Sequence, residues 1–120
     1  MNDTQTTLAE LREAVRQFVD ERDWQQFHSP KNLSMALAIE AGELMEHFQW
    51  LDGEATRNLS ESPEKLAAIG EELADVLSYM LALANSLDID LAATHEKKMV
   101  RNRAKYPVEQ FRGRFGSGVQ

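Results

Sequence analysis

The chain has no cysteine among its 120 residues. Disulfides, thiolate catalysis and cysteine-based zinc or iron–sulfur sites are therefore excluded. Its start has neither the basic region nor the apolar run of a signal peptide. No stretch approaches the ~18 uncharged apolar residues that a membrane-spanning helix needs. These absences predict a cytoplasmic protein without a membrane partner.

Positive charge is also scarce, since the net charge is -7 and the pI about 4.9. Such a surface argues against binding a long nucleic acid, although a local basic cluster or a cation can still hold a small anion. Strand signals are missing as well. We find no sustained alternation of apolar and polar residues, and no Asn-Gly or Asp-Gly turn between apolar runs.

Helical signals fill most of the chain. Apolar residues recur at helical spacing, and cap residues precede the apolar stripes. Helices are expected from near Thr7 to Asp20, Pro30 to Leu51, Pro63 to Leu87 and Leu91 to Lys105. The predicted fold class is all-α, a bundle of about four helices in one domain over residues 1–107. Residues 108–120 are expected to form a flexible tail.

Two pairs of acids lie within the two longest predicted helices. Glu40 and Glu43 form E-x-x-E, and Glu72 and Asp75 form E-x-x-D. Acids three residues apart share a helix face and repel each other. Their apolar surroundings make an unpartnered carboxylate costly. Two such helices side by side would bring four carboxylates around a cation, although on spacing alone a solvated helix face remains the alternative.

The expected metal is a hard cation. Ferritin-like di-iron sites use Glu-x-x-His, but no acid lies three residues before any of the three histidines. An all-carboxylate set suits Mg²⁺, with Mn²⁺ as the alternative. Since Mg²⁺ usually shares its coordination positions with water and substrate phosphates, the predicted substrate is a polyphosphate.

A basic cluster and an aromatic group fit such a substrate. Lys98, Asn102 and Lys105 fall near one face of the last helix and could grip phosphate oxygens, or could simply form a solvated basic helix end. Aromatic side chains near the acid helices could stack on a nucleobase, or could be ordinary packing residues. The candidate base-binding residues are Trp24, His28, Trp50 and Tyr79.

The pattern E-x-x-E, 28 residues, E-x-x-D resembles the signature of the all-α, MazG-like nucleotide pyrophosphohydrolases. The match extends over roughly residues 8–107 and is similar to the dCTP pyrophosphatase branch. A Trp-Gln-Gln-Phe-His block and an Asn-Arg-x-Lys-Tyr-Pro ending add to it. The similar segments are residues 21–33, 42–50, 71–77 and 98–107.

The resemblance implies roles for the matching positions. The four acids would bind Mg²⁺, the two tryptophans would border the base pocket, with His28 and Tyr79 nearby, and Lys98, Asn102 and Lys105 would hold phosphates. Vertebrate relatives carry a further pocket histidine in the first helix, where this chain has Val15. Members of the family are dimers, or tetramers built from dimers, so a homo-oligomer is expected.

The implied activity is Mg²⁺-dependent hydrolysis of a deoxynucleoside triphosphate, foremost dCTP or a cytosine analogue, to the monophosphate and pyrophosphate. This would be a house-cleaning role in the nucleotide pool. Two alternatives stay open. The enzyme could prefer dUTP or accept many triphosphates, or the chain could be a non-catalytic helical module that binds nucleotide or metal.

Overall fold

The computed structural model describes residues 1–114, and this part of the chain contains helices but no strand. The α-helices are α1 (Leu8–Glu21), α2 (Pro30–Glu46), α3 (Gly53–Arg57), α4 (Pro63–Leu87), α5 (Leu91–Lys105) and α6 (Val108–Phe111). Two single-turn 3₁₀ helices, Gln25–Phe27 and Leu59–Glu61, lie between them. The all-α prediction is confirmed, with four long helices and two short ones.

Local capping explains where the long helices begin. The Thr7 hydroxyl accepts from the Glu10 N–H, and the Glu10 carboxylate accepts from the Thr7 N–H, at 3.1 Å each. This capping box satisfies two backbone donors that a helix start leaves unpaired. Ser29 caps α2 through the Asn32 N–H, ahead of Pro30. At α4 the helix begins at Pro63 as predicted, although Ser62 forms no capping hydrogen bond.

The prediction that α2 continues to Leu51 is wrong, because the helix ends at Glu46. The backbone tightens there into turns, with the Phe48 N–H donating to the Met45 carbonyl at 2.9 Å. Asp52 then caps α3 by accepting from the Ala55 N–H at 2.7 Å. Apolar residues continue at helical spacing through this turn, so the spacing alone could not locate the helix end.

Two segments outside the four predicted helices, or beyond the observed end of α2, contain short helices. The segment of residues 24–28 includes the first 3₁₀ turn. The connection over residues 53–61 holds α3 and the second 3₁₀ turn. Each is too short to produce a periodic apolar stripe, which is why the pattern did not reveal them.

The chain divides into two compact units, Met1–Asp88 and Ile89–Gln120. In the first, α4 is the central element and packs against both α2 and α1. Few side chains are fully withdrawn from solvent in this unit. The buried residues are Val19, Leu33, Leu59, Leu81, Ala82 and Ala84.

Large apolar side chains remain exposed on α2 and α4. On α2 these are Met35, Ile39 and Met45; on α4 they are Leu66, Leu73, Leu77, Met80 and Leu87. Ile39 is 61% exposed and Met35 52%. Contiguous apolar surface on this scale is typical of an interaction face.

The second unit is formed by α5 and α6. The ring of Tyr106 meets that of Phe111 edge-on at 5.1 Å, which joins the end of α5 to α6. The predicted tail therefore starts with a helical turn at Val108–Phe111, while residues 115–120 lie outside the described part. Over the described residues, none of the helices has the length and apolar character required to cross a membrane.

Candidate metal and nucleotide site

The packing of α2 against α4 brings acids from both helices together. One carboxylate oxygen from each of Glu40, Glu43 and Glu72 lies within 4.8 Å of the others. The first two occupy successive turns of α2, and Glu72 projects from the facing side of α4. Glu40 and Glu72 are half-buried, and Glu43 is exposed.

Two oxygens in this group lack a hydrogen-bond partner although they are buried. They are the Oε2 atoms of Glu40 and Glu72. An unsatisfied buried carboxylate oxygen is unfavourable, since it loses water and gains nothing in return. A divalent cation would satisfy both atoms and reduce the repulsion among the three carboxylates. An all-oxygen donor set of this kind fits Mg²⁺ or Mn²⁺.

The electrostatics of Glu40 reflect the same crowding. The pKa of Glu40 is raised from 4.5 to about 7, chiefly by burial and then by a hydrogen bond with Glu43 and by the charges of Glu43, Asp75 and Glu72. Without a cation, the group therefore binds a proton near neutral pH. A cation would replace that proton.

Asp75 lies next to this tight group rather than within it. Its charge acts on Glu40, which places it near the other carboxylates. It also lines a cavity of about 390 Å³ between α1 and α4. Asp75 thus connects the acidic group to the cavity.

The cavity brings together three of the four candidate base-binding residues. Trp24, His28 and Tyr79 line it together with Asp75. The remaining lining residues are Val15, Phe18, Val19, Ser78 and Ala82. Helix α1 supplies one wall, α4 the opposite wall, and the segment after α1 the tryptophan and histidine.

The rings in this cavity pack on one another. Trp24 meets Phe18 edge-on at 5.6 Å and lies 6.3 Å from the His28 ring. The Arg22 guanidinium covers the Phe18 ring at 3.8 Å and donates to the Phe18 carbonyl at 3.0 Å. Such contacts hold the rings in fixed orientations and so prepare a flat surface for a planar ligand.

The fourth aromatic candidate is elsewhere. Trp50 lies in the turn after α2, is 87% exposed and does not line the cavity. A fully solvated indole is unusual on a protein surface and is a frequent contact residue between protein molecules.

The phosphate-binding candidates lie on α5, in the other unit. Lys98 and Lys105 are exposed, and Asn102 is half-buried. The Lys105 ammonium lies 5.3 Å from the Tyr106 ring. Residues 89–120 contain seven basic and three acidic side chains, in contrast to the acidic first unit.

Phe18 is a cavity residue that the sequence did not single out. It belongs to the apolar stripe of α1, with the spacing of a core residue. Nothing in such a stripe distinguishes a ring that packs in the core from one that lines a cavity. Phe18 is 47% exposed because the cavity opens beside it.

A carboxylate cluster beside an aromatic cavity in a helical protein is the arrangement expected of a protein that binds a nucleotide together with a metal ion. The comparisons with known proteins narrow this class. The model of the MazG-like family matches residues 35–114, from within α2 to the end of the described part. The chain belongs to the MazG-like family.

Curated relatives with a described activity are similar along most of the chain. Bovine (Bos taurus) dCTP pyrophosphatase 1 is 44% identical over 110 residues, which cover 92% of this chain and 65% of that protein. Human (Homo sapiens) dCTP pyrophosphatase 1 is 48% identical over 103 residues, covering 85% and 60%. The chain thus spans less than two thirds of the length of these relatives.

A solved structure is similar over nearly its whole length. It is a pyrophosphatase from Archaeoglobus fulgidus, 35% identical, with a TM-score of 0.75. The alignment covers 89% of this chain and 98% of that one.

Proposed function

We propose that the chain is a Mg²⁺-dependent nucleoside triphosphate pyrophosphohydrolase that acts on dCTP or cytosine analogues. The observation that carries this proposal is the glutamate cluster, with two buried unpaired oxygens, beside a cavity lined by aromatic rings. The names of the bovine and human relatives favour dCTP as the substrate. Membership of the MazG-like family supports the class of reaction.

The reaction breaks one bond with one water molecule. Water attacks the α-phosphorus of the triphosphate, and the bond between that phosphorus and the bridging oxygen to the β-phosphorus breaks. The products are the nucleoside monophosphate and pyrophosphate, with release of a proton near neutral pH. Removal of dCTP or an altered analogue would be a house-cleaning role in the cytoplasmic nucleotide pool.

The metal would be held by Glu40, Glu43, Glu72 and Asp75. A bound divalent cation neutralises charge on phosphate oxygens and makes a water molecule more acidic. The carboxylates themselves fix where the triphosphate can approach, because they attract only a phosphate whose charge is offset by a cation. We propose Mg²⁺ as the ion, with Mn²⁺ as a substitute.

The aromatic cavity would hold the base. Stacking on an aromatic side chain contributes about 1–3 kcal/mol per base, and Trp24 and Tyr79 offer rings on different walls. The His28 ring and the Ser78 hydroxyl supply polar groups for the edge of the base. Asp75 lines the cavity and also lies next to the acidic group. A nucleotide with its base in the cavity would therefore direct its phosphates toward the metal.

Lys98, Asn102 and Lys105 would bind phosphate oxygens. Their support is the matching position in the family's pattern and the basic character of residues 89–120. Exposed ammonium groups form charge-assisted hydrogen bonds to phosphate once a ligand arrives.

We also propose a homo-oligomer, a dimer or a tetramer. The support is the exposed apolar surface of α2 and α4 and the small number of buried residues. A second copy packed on this surface would remove those side chains from water. Trp50, almost fully exposed in one chain, would then be available to contact a neighbouring copy's cavity.

Pyrophosphate release from purified protein tests the function. The substrates are dCTP, 5-methyl-dCTP, dUTP, dTTP, dATP and dGTP, each with Mg²⁺ and with excess EDTA. Faster pyrophosphate release from the cytosine nucleotides is expected, and EDTA should abolish pyrophosphate release from all substrates. Preference for dUTP, or equal rates for all, would establish the other enzyme alternatives. Nucleotide binding without turnover would overturn the enzymatic proposal in favour of a binding module.

A further inference from the structure

Asn85 of α4 forms hydrogen bonds that hold α1 against α4. Its side-chain oxygen accepts from Arg12 Nε at 2.9 Å and from Arg16 Nη2 at 3.2 Å. Its side-chain amide donates to the Arg12 carbonyl at 3.1 Å. One amide thus binds two guanidinium groups and the backbone of the neighbouring helix. Asn85 and Arg12 are half-buried, so water competes less with these bonds than at an open surface.

A second cavity, of about 250 Å³, adjoins the aromatic cavity and is lined by Arg16 and Asn85 among others. Val19, His28 and Ala82 line both cavities, so these side chains form a partition between them. A partition with a cavity on each side lacks the packing that fixes a core side chain.

Helix α1 has little buried surface to hold its position. Val19 is its one buried residue in the described part of the chain, and it is still 9% exposed. Three lining residues of the aromatic cavity nevertheless come from this helix, namely Val15, Phe18 and Val19. The placement of α1 relative to α4 therefore depends on the Asn85 hydrogen bonds as well as on packing.

We propose that Asn85 is a positioning residue for the nucleotide base. Through Arg12 and Arg16 it sets the distance of α1 from α4, and with it the width of the aromatic cavity. The inference rests on the proposed function for the identity of the ligand. Asn85 lies ten residues beyond Asp75 along α4, about 15 Å, so it acts on the base end of the site and not on the metal end.

Steady-state kinetics with dCTP test the proposal through Asn85→Ala. Loss of three hydrogen bonds should raise KM for dCTP about tenfold, with kcat within about twofold of wild type. The Mg²⁺ concentration for half-maximal rate should not change. Asn85→Asp keeps an oxygen acceptor for both arginines and should recover most of the affinity. Ser86→Ala, which alters the second cavity beside Asn85 but none of these bonds, is the matched control.

A measurement without turnover separates this inference from the proposed activity. In a Trp50→Phe background, Trp24 is the one remaining tryptophan. It packs on Phe18 of α1, so a shift of α1 should increase acrylamide quenching of its fluorescence in Asn85→Ala but not in Ser86→Ala. This readout holds even if wild type hydrolyses no triphosphate.

Arg16→Met provides a milder test should Asn85→Ala fail to fold. It removes one guanidinium from an exposed position, and a two- to threefold rise in KM is expected. The proposal is overturned if the folded Asn85 and Arg16 variants leave both KM and Trp24 quenching at wild-type values. A fall in kcat at constant KM would also overturn it, since that would place Asn85 at the chemical step.

Discussion

Helix α4 contributes to two regions that are built differently. On the side facing α2, Glu72 meets Glu40 and Glu43, and all three side chains are carboxylic acids. On the side facing α1, Tyr79 and Ala82 face aromatic and apolar side chains across a cavity. A cation would stabilise the first region, while the second offers room for a flat, mostly apolar ligand. We infer that one helix couples a metal to a base because its two faces carry side chains of opposite chemistry.

The two regions also differ in what holds them. The α2–α4 side includes Leu33 and Leu81, the two most deeply buried side chains of the described chain. The α1–α4 side has two adjoining cavities, and Val19, His28 and Ala82 line both of them. We infer that changes at the acidic side act on catalysis, whereas changes at the aromatic side act on affinity and selectivity.

The largest expected effect is loss of activity in Glu43→Gln. Removing one carboxylate from the cluster should lower turnover by more than the roughly 10- to 100-fold that loss of an outer partner of a metal ligand typically costs. Helical circular dichroism should stay near wild type, because Glu43 is exposed and its charge repels its neighbours. Glu71→Gln, adjacent to Glu72 but exposed, is the matched control and should retain activity. Collapse of the fold in Glu43→Gln would instead make Glu43 a structural residue.

A second prediction concerns the aromatic side. Trp24→Ala should raise KM for dCTP by about 10- to 100-fold with a smaller effect on kcat, given the stacking free energy of about 1–3 kcal/mol per base. Phe27→Ala removes an exposed ring three residues away that does not line the cavity, and should leave KM unchanged. Equal losses of kcat and affinity in Trp24→Ala would contradict the inference that the aromatic side acts on affinity rather than on catalysis.

The third prediction tests the exposed apolar surface of α2. Ile39→Glu places a charge on this surface, at a side chain that is 61% exposed, and should shift the protein toward monomer in light scattering coupled to size exclusion. Val108→Glu, on α6 and 67% exposed, is a control of the same chemistry. If wild type itself is monomeric at high concentration, the surface does not join copies of this chain.

The smallest effect is a pH dependence of stability without metal. The pKa of Glu40 rises to about 7 in the folded chain from 4.5. Below pH 4.5 both folded and unfolded states hold the proton, so its stabilising contribution is complete; it is lost as pH rises to about 7 and does not fall further above it. The Tm in EDTA should therefore decrease over this interval.

Two comparisons isolate Glu40 as the cause. Glu40→Gln should remove this part of the pH dependence. In the wild type, Mg²⁺ should raise Tm more at pH 8 than at pH 5.5, because protons compete with the cation for the carboxylates. A wild-type Tm profile that matches that of Glu40→Gln in EDTA would contradict the raised pKa.

Much of the fold could be predicted from local signals. The Thr7–Glu10 capping box and the Ser29-Pro30 pair are signals of this kind, because a cap is an interaction among residues a few positions apart. The end of α2 was missed, since apolar spacing persists through the turn at residues 47–51. The short helices within residues 24–28 and 53–61 were missed because they are briefer than the period that reveals a helix.

The site divides in the same way. Glu40 with Glu43, and Glu72 with Asp75, could be recognised as pairs because spacing along one helix dictates that they share a face. That Glu72 joins the tight group while Asp75 turns to the cavity depends on how α2 and α4 cross, which no local pattern encodes. The position of Phe18 at the cavity and the contacts of Asn85 with two arginines depend likewise on how α1 approaches α4. Helical periodicity relates residues a few positions apart, so the sequence alone reveals it. The contacts of Asn85 with Arg12 and Arg16 join residues 73 and 69 positions apart, and they form only when the helices pack.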